Sequence, residues 1–274
     1  MNIRRIMNRA LLIMLTLGLW VAGSLRAEAE PLRVGITPDY PPLVFAQGEG
    51  YDGLEIDFAF ALADRLGREL EFVELAWTDQ MAALLEGRTD IIMSGMSATL
   101  ARSVRINFSE PYLKTGLLAL IRRKDVQKYK TPEDLVDKMA RIGFKKGTTA
   151  QAYVLGNLTN TTSRAFVTPD DGALEVQRTR IDAFVHDGPA VVWLVSKFEA
   201  DLTLMQTPLS RENLAWGVRR DDDVLLNEVN KALADWKADG SLDRILDRWL
   251  PYRAMMTEAL SKSDLPEPRL PSNP

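Results

Sequence analysis

The chain has 274 residues, with 34 Lys plus Arg, 38 Asp plus Glu, one His and no Cys, and 46% of its residues are apolar. This composition is typical of a folded protein with one large or two medium domains, and it excludes disorder of the whole chain. The lack of Cys excludes disulfides, Cys-ligated zinc and a lipid anchor on Cys, and a single His excludes a multi-His site, so we expect no metal and no cofactor.

The first 29 residues have the pattern of a secretory signal peptide. Three arginines within residues 4–9 precede an apolar run at 10–22, and Ala-Glu-Ala follows at 27–29. The apolar run has 13 residues, which is too short to span a membrane. We predict cleavage after Ala29 and export of the remaining chain, with an uncleaved N-terminal anchor as the alternative.

Charge and cysteine content predict the compartment and exclude one class of partner. Cleavage after Ala29 would remove four Arg and one Glu, leaving 30 basic and 37 acidic residues and a net charge of −7. Such a charge disfavours nucleic acid as a partner. Export without any Cys is typical of a soluble, non-lipidated protein of the bacterial periplasm, and we expect it to be a monomer. A fully secreted protein would show the same pattern.

From residue 32 onward, short β-branched runs alternate with longer runs of helical period, which predicts an α/β fold. The first predicted elements are strand 32–36, helix 54–66, strand 70–75, helix 79–85, strand 90–93 and strands 106–108 and 117–121. Thr131 then begins a helix as its N-cap, with Pro132 in the first position.

A second series of strands and helices follows. Its predicted elements are strand 141–144, helix 149–155, strand 164–167, helix 170–177, strand 181–185, helix 190–198 and strands 202–205 and 214–218. Residues 224–250 predict two amphipathic helices separated by Gly240. Four Pro in the last 14 residues predict a disordered tail from about residue 261.

Two such series predict two lobes with a ligand cleft between them. We predict that lobe 1 comprises residues 30–120 and 216–252, that lobe 2 comprises residues 121–215, and that residues 253–274 form a C-terminal extension. The chain would cross between the lobes twice, with hinges near residues 120–122 and 215–218.

One candidate site follows the predicted strand at 90–93. Ser94, Gly95 and Ser97 leave this strand in a small-residue turn that leads to Arg102. Exposed N–H groups and hydroxyls beside a guanidinium suit an anionic ligand, and an Arg presents paired donors that match a carboxylate. On composition alone, a surface ion pair is the more common role for an arginine such as Arg102.

The second series offers a matching set of groups. Thr148 and Thr149 follow a Gly at a strand-to-helix turn and could bind the same anion, although such a turn is more often only a helix cap. Asp187 lies at the carboxyl end of a strand, where it can pair with an ammonium group or cap the following helix. Tyr40 and Trp77 are candidate aromatic walls of the cleft, and packing is the alternative role for Tyr40.

Several motifs occur in the order in which a known family carries them. They are GITPDYPP at 35–42, GLEID at 53–57, a Trp at 77 followed by LLEGRTD at 84–90, MSATLAR at 96–102, FSEPY at 108–112, Gly-Thr at 147–148 and DAFVHD at 182–187. Over residues 32–250 the chain thus resembles the family 3 periplasmic solute-binding proteins of polar amino-acid ABC transporters. The resemblance implies a type II periplasmic-binding-protein fold, with two βα sandwich lobes, and delivery of a small amino acid to an ABC permease in the inner membrane.

The resemblance also implies roles for particular residues. In such proteins the matching Arg and the amides of the small-residue turn hold the ligand's α-carboxylate, and the Asp of the second lobe holds its α-ammonium. These roles fall on Arg102 and Asp187. Basic-ligand members often have an acidic residue where Thr37 stands, which makes a cationic ligand less favoured, although Asp39 keeps that class open.

Two other functions share this pocket chemistry. Periplasmic cyclohexadienyl or arogenate dehydratases resemble these binding proteins but need a general acid. The resemblance places that acid just inside the helix after Gly-Thr, where this chain has Thr149, Ala150 and Gln151, so we predict a binding protein and not an enzyme. His186 has no placed nucleophile as a partner and is not a catalytic candidate. A soluble receptor for a membrane sensor would differ only in its partner.

Overall fold

The structure is a computed structural model that describes residues 30–266 and 268. The predicted signal peptide and half of the predicted disordered tail lie outside these residues. Within them the chain forms helices and two five-stranded sheets, each the centre of one lobe, which confirms the predicted two-lobed α/β fold. None of the described helices is both long enough and apolar enough to cross a membrane.

The elements of the described chain are numbered in chain order. The strands are β1 (Leu32–Ile36), β2 (Asp39–Tyr40), β3 (Val44–Gln47), β4 (Gly50–Asp52), β5 (Leu70–Glu74), β6 (Ile91–Ile92), β7 (Asn107–Phe108), β8 (Leu113–Thr115), β9 (Leu117–Arg122), β10 (Arg141–Lys145), β11 (Thr162–Phe166), β12 (Ala183–Asp187), β13 (Leu202–Leu204), β14 (Glu212–Leu214) and β15 (Gly217–Val218). The α-helices are α1 (Leu54–Leu66), α2 (Gln80–Leu85), α3 (Leu100–Ser103), α4 (Pro132–Asp137), α5 (Thr149–Asn157), α6 (Pro169–Gln177), α7 (Gly188–Lys197), α8 (Asp223–Asp239), α9 (Ser241–Trp249) and α10 (Arg253–Ser261).

The first lobe is built on a sheet with the strand order β5-β1-β6-β15-β7. β1 pairs in parallel with β5 and β6, whereas β15 comes from the far end of the chain and pairs antiparallel with β6 and β7. Helices α8 and α9 pack against α1. Their contact includes a buried aromatic cluster in which the ring of Phe58 lies 5.4 Å from that of Trp216 and 5.9 Å from that of Trp236.

The second lobe is built on a sheet with the strand order β11-β10-β12-β9-β13. Two hydrophobic clusters cover its opposite faces. β9 and β12 lie in the middle of this sheet and are buried along their whole length. Strands that are buried on both faces read as continuous apolar runs, which is why the sequence LLALIR of β9 shows no alternation.

The two crossings between the lobes lie side by side. β8 precedes β9 of the second sheet, β14 precedes β15 of the first sheet, and β8 and β14 pair antiparallel with each other. We therefore propose the lobe boundaries and hinges at this two-stranded ladder. Residues 120–122, where we expected one hinge, lie inside β9 of the second sheet. An apolar strand has the same sequence pattern whichever sheet it joins, so the sequence does not show where the crossing begins.

The helix α10 has no counterpart among the predicted elements. It follows α9 of the first lobe and packs against the crossing strand β8, where the sulfur of Met256 lies 3.8 Å from the hydroxyl of Thr115. The guanidinium of Arg211 donates to the carbonyl oxygens of Leu260 and Ser263 at 2.7 and 2.8 Å. A helix of nine residues directly before a proline-rich segment gives too short a periodic pattern to be recognised from sequence.

The first acid of the DAFVHD motif belongs to the internal structure of the second lobe. Asp182 accepts hydrogen bonds from the guanidinium groups of Arg122, at 2.7 Å, and Arg141, at 2.9 Å. Burial alone would raise the pKa of Asp182, but these hydrogen bonds outweigh burial and lower the pKa below its ordinary value. The ionised carboxylate thus links the ends of β9, β10 and β12. Asp187, the second acid of the motif, takes no part in these contacts.

Candidate functional site

The predicted binding residues converge where the two lobes face each other. From the first lobe, the hydroxyl of Tyr40 donates to Asp187 Oδ2 of the second lobe at 2.7 Å. The indole N–H of Trp77 donates to the carbonyl oxygen of Gly147 at 2.9 Å. Both predicted aromatic walls therefore reach across the cleft, and Tyr40 does more than pack in its proline turn.

Arg102 lies between the lobes. The side chain of Thr99 caps α3 by accepting the backbone N–H of Arg102 at 3.3 Å, which fixes the start of the arginine's helix. The guanidinium donates to the carbonyl oxygen of Ser97 at 2.8 Å and to that of Gly147 at 3.4 Å, and it lies 5.4 Å from the ring centroid of Trp77. Burial lowers the pKa of Arg102, but a guanidinium stays charged at any physiological pH. A fixed positive charge is thus held at the cleft.

Asp187 presents a buried carboxylate to the same space. It ends β12 and occupies the N-cap position of α7, yet its side chain makes no capping hydrogen bond. Only 5% of the residue is exposed, and Oδ1 has no hydrogen-bond partner among the described residues. Burial alone would raise the pKa of Asp187, but the His186 ring, the Tyr40 hydroxyl and the Arg102 guanidinium outweigh it and lower the pKa. Oδ1 of the ionised Asp187 carboxylate is therefore available to accept a hydrogen bond from a ligand.

The turn after β6 uses part of its hydrogen-bonding capacity within the first lobe. Ser94 accepts the N–H of Thr37 at 2.9 Å, and the N–H of Gly95 donates to Glu55 at 2.6 Å. Gly95 has a φ of +66°, and a Cβ at this position would lie 2.6 Å from the ring of Tyr40, so only glycine fits. Ser94 and Gly95 therefore shape the turn. Because the Ser94 hydroxyl oxygen and the Gly95 N–H already make hydrogen bonds within the first lobe, both are weaker candidates for direct ligand contact than Arg102.

A carboxyl group that no motif indicated also lies in the cleft. Glu212, at the start of β14, accepts hydrogen bonds from the hydroxyls of Ser97 at 2.5 Å and Thr149 at 3.0 Å. Thr148 is instead the N-cap of α5. Burial and the nearby charge of Asp187 raise the pKa of Glu212 to about 7. Sequence reasoning missed Glu212 because the crossing strand brings it to Ser97 and Thr149 from a distant part of the chain.

An ion pair joins the lobes beside these residues. The ammonium group of Lys145, which is 4% exposed, lies 2.5 Å from a carboxylate oxygen of Asp39. Lys145 ends β10 of the second lobe, and Asp39 begins β2 of the first. Among residues 30–266 and 268, no group of three or more His, Cys, Asp or Glu side chains is placed to hold a metal ion. The site is thus a set of charges and hydroxyls divided between two lobes.

Residues 32–252 match the bacterial extracellular solute-binding proteins, family 3. The chain belongs to this family. The match covers both lobes and both crossings, and it ends at the residue before α10 begins. The prediction of a family 3 solute-binding protein is confirmed.

Curated relatives of this solute-binding protein include binding proteins and an enzyme. The chain is 29% identical over 223 residues to the L-cystine-binding protein TcyJ of Escherichia coli K12, covering 81% of this chain and 83% of that protein. It is 30% identical over 231 residues to ABC transporter arginine-binding protein 1 of the same strain, covering 82% and 93%. It is also 28% identical over 237 residues to the cyclohexadienyl dehydratase of Pseudomonas aeruginosa PAO1, covering 82% and 85%.

Solved structures of similar proteins share the fold. An ancestral amino acid-binding protein, AncCDT-1, described as a precursor of cyclohexadienyl dehydratase, has a TM-score of 0.74 and 34% identity, covering 80% of this chain and 94% of that chain. A binding component of an ABC transporter from Wolinella succinogenes, complexed with lysine, has a TM-score of 0.77 and 31% identity, covering 82% and 96%. These similarities confirm the predicted type II architecture and support the predicted class of function, amino-acid binding.

Proposed function

We propose that this solute-binding protein binds an L-α-amino acid between its lobes, with the α-carboxylate at Arg102 and the α-ammonium at Asp187. The observation that carries the proposal is the buried carboxylate of Asp187, whose Oδ1 has no partner among the described residues. Leaving a buried, ionised oxygen unpaired is costly, and an ammonium group would supply the missing donor. Arg102 offers the opposite charge from the facing lobe.

The division of these two charges explains how binding would close the cleft. Arg102 belongs to the first lobe and Asp187 to the second, so one zwitterion can satisfy both only when the lobes approach. A ligand shifts a conformational equilibrium only by its differential affinity for the two states. An amino acid that makes both ion pairs in the closed form alone therefore favours closure, which is the change that a membrane partner can recognise.

The remaining parts of the proposal concern location and partner. We propose export by the N-terminal signal peptide to the periplasm, a monomeric state and delivery of the ligand to an ABC permease in the inner membrane. The family match and the relatives named as ABC-transporter binding proteins support this role. A receptor that reports the ligand to a membrane sensor would use the same cleft.

A thermal-shift screen tests the proposal. The mature protein is heated alone and with each of the 20 standard L-amino acids, L-ornithine and L-cystine, and the best compound is then titrated by calorimetry. Because a ligand at a hundred times its Kd stabilises the folded state by about 2.7 kcal/mol, a true ligand is expected to raise the Tm by several degrees. Stabilisation by none of these compounds, with the protein shown to be folded, would contradict amino-acid binding.

The properties of Glu212 are also compatible with a second function, that of a dehydratase. A carboxyl group with a raised pKa can act as a general acid, and Glu212 contacts Thr149, one of the positions at which sequence reasoning found no acid. The relatives named as binding proteins favour binding without turnover. We therefore expect purified protein to leave prephenate and arogenate unchanged. Formation of the aromatic product, lost in an Arg102→Ala variant, would instead assign the enzyme.

A further inference from the structure

Glu212 accepts hydrogen bonds from hydroxyl groups that could otherwise donate to the ligand's carboxylate. One carboxyl oxygen, Oε2, accepts from Ser97 of the first lobe and from Thr149 of the second, and Oε1 accepts from Ser210 at 3.3 Å. Ser97 and Thr149 are both among the residues predicted to bind the ligand. A carboxyl group of the chain itself therefore lies between the two lobes at the place expected for a ligand carboxylate.

The groups around Glu212 include one cation, Arg102, and one carboxylate, Asp187, so they do not compensate the negative charge of an ionised Glu212 as well. Asp187 is ionised and repels it, Arg102 is the nearby cation, and the buried hydroxyl of Tyr40 also faces it. His186 lies behind Asp187, with its Nδ1 3.3 Å from Asp187 Oδ2. If Glu212 were ionised, Arg102 would have to compensate two carboxylates before any ligand arrives.

An incoming amino acid brings a third carboxylate to the same donors. Like-charged carboxyl groups that share one site cannot all remain ionised, and the least stabilised one takes up a proton. Asp187 is needed as an anion for the ammonium, and the carboxyl of a free amino acid is too acidic to be protonated near neutral pH. Glu212 is the remaining group, and its protonated form has an O–H that can donate.

We propose that Glu212 is a ligand-binding residue whose protonated carboxyl group donates a hydrogen bond to the α-carboxylate of the bound amino acid. The inference depends on the proposed function, since it assigns a further contact in the same cleft. It adds a neutral donor to the charged Arg102, and it makes binding consume a proton whenever Glu212 is ionised in the free protein.

The expected pH dependence follows from this proton. With a pKa of about 7 in the free protein, Glu212 is mainly protonated below that pH and mainly ionised above it. If the ligand binds the protonated form, affinity is constant below pH 7 and falls by up to about tenfold for each unit above it. Proton uptake per bound ligand should rise from near zero at about pH 5.5 to nearly one at about pH 8.5.

Calorimetric titration with the best amino acid from the thermal-shift screen tests the assignment. Affinity is measured between about pH 5.5 and 8.5, and at pH 8 in two buffers of different ionisation enthalpy, which reports proton uptake directly. Glu212→Gln keeps the size of the side chain and an N–H donor. This variant is expected to bind within about threefold of wild type at low pH and to lose the pH dependence.

The outcomes separate this inference from the proposed function. Affinity that does not change with pH, proton release instead of uptake, or a pH dependence that persists in Glu212→Gln would overturn the role of Glu212 while leaving amino-acid binding intact. The last result would assign the titration to another group of the protein. Absence of binding at every pH would contradict the proposed function itself. If Glu212→Gln does not fold, the proton uptake measured for the wild type still decides whether a protonated group binds the ligand.

Discussion

Glu55→Ala is expected to lower the free energy of unfolding by about 3–5 kcal/mol, because it removes the acceptor of three buried donors at once. Glu55 lies in the first turn of α1 and is fully buried. Its carboxylate accepts the N–H of Gly95 at 2.6 Å, the hydroxyl of Tyr112 at 2.6 Å and the indole N–H of Trp216 at 2.8 Å. The loss would be a large part of a total stability of about 5–15 kcal/mol.

The same substitution should also disturb the ligand site. Glu55 fixes the turn at Gly95, which is followed by Ser97 and leads to Arg102. Urea unfolding followed by tryptophan fluorescence measures the loss of stability, and Asp64→Ala, at an exposed position of the same helix, is the matched control. Asp64→Ala is expected to change stability by less than about 0.5 kcal/mol. If Glu55→Ala were as stable as Asp64→Ala, the buried network would have no structural role.

Arg102→Ala is expected to weaken ligand binding by about 2–5 kcal/mol, which is a factor of about 30 to several thousand in Kd. The substitution removes the cation that faces Asp187 across the cleft and leaves the ligand's carboxylate without an ionic partner. Arg102→Lys should also bind weakly, because a single ammonium cannot reproduce the two parallel hydrogen bonds of a guanidinium to a carboxylate. Calorimetry with the amino acid chosen by the screen measures both variants.

A nearby arginine provides the control for this prediction. Arg105 is exposed, lies just after α3 and carries the same charge, so Arg105→Ala changes the net charge equally without removing a group from the cleft. We expect its Kd to stay within about twofold of wild type. Either Arg102 variant binding as tightly as Arg105→Ala would show that the carboxylate is held elsewhere.

Most of the fold could be predicted because its local patterns and its tertiary structure agree. The helix predicted at residues 54–66 and the strand predicted at 32–36 have the observed bounds. Gly53 and Gly67 flank the helix, and Pro31 directly precedes the strand. The segment at 214–218, predicted as one strand, is split between the crossing strand β14 and β15 of the first sheet. Continuous apolar sequence does not show where a chain passes from one sheet to another.

The candidate site was predictable only where its residues lie in ordered motifs. Arg102 and Asp187 could be selected because each follows a strand at a position that the family resemblance marks. Glu212 could not, because its role depends on contacts with Ser97 and Thr149, which are 115 and 63 residues away along the chain. Only the folded chain brings these three groups together, and burial together with the charge of Asp187 then raises the pKa of Glu212.

Small-angle X-ray scattering on the chain from residue 30 onward tests most directly whether one zwitterion joins the two lobes. Scattering is recorded for the protein alone, with a saturating amount of the amino acid chosen by the screen, and with the corresponding 2-oxo acid, which lacks the α-ammonium. We expect the amino acid to reduce the radius of gyration and the 2-oxo acid to reduce it far less, because Asp187 then stays unpaired. Equal compaction by both compounds, or none by the amino acid at saturation, would contradict closure through Arg102 and Asp187.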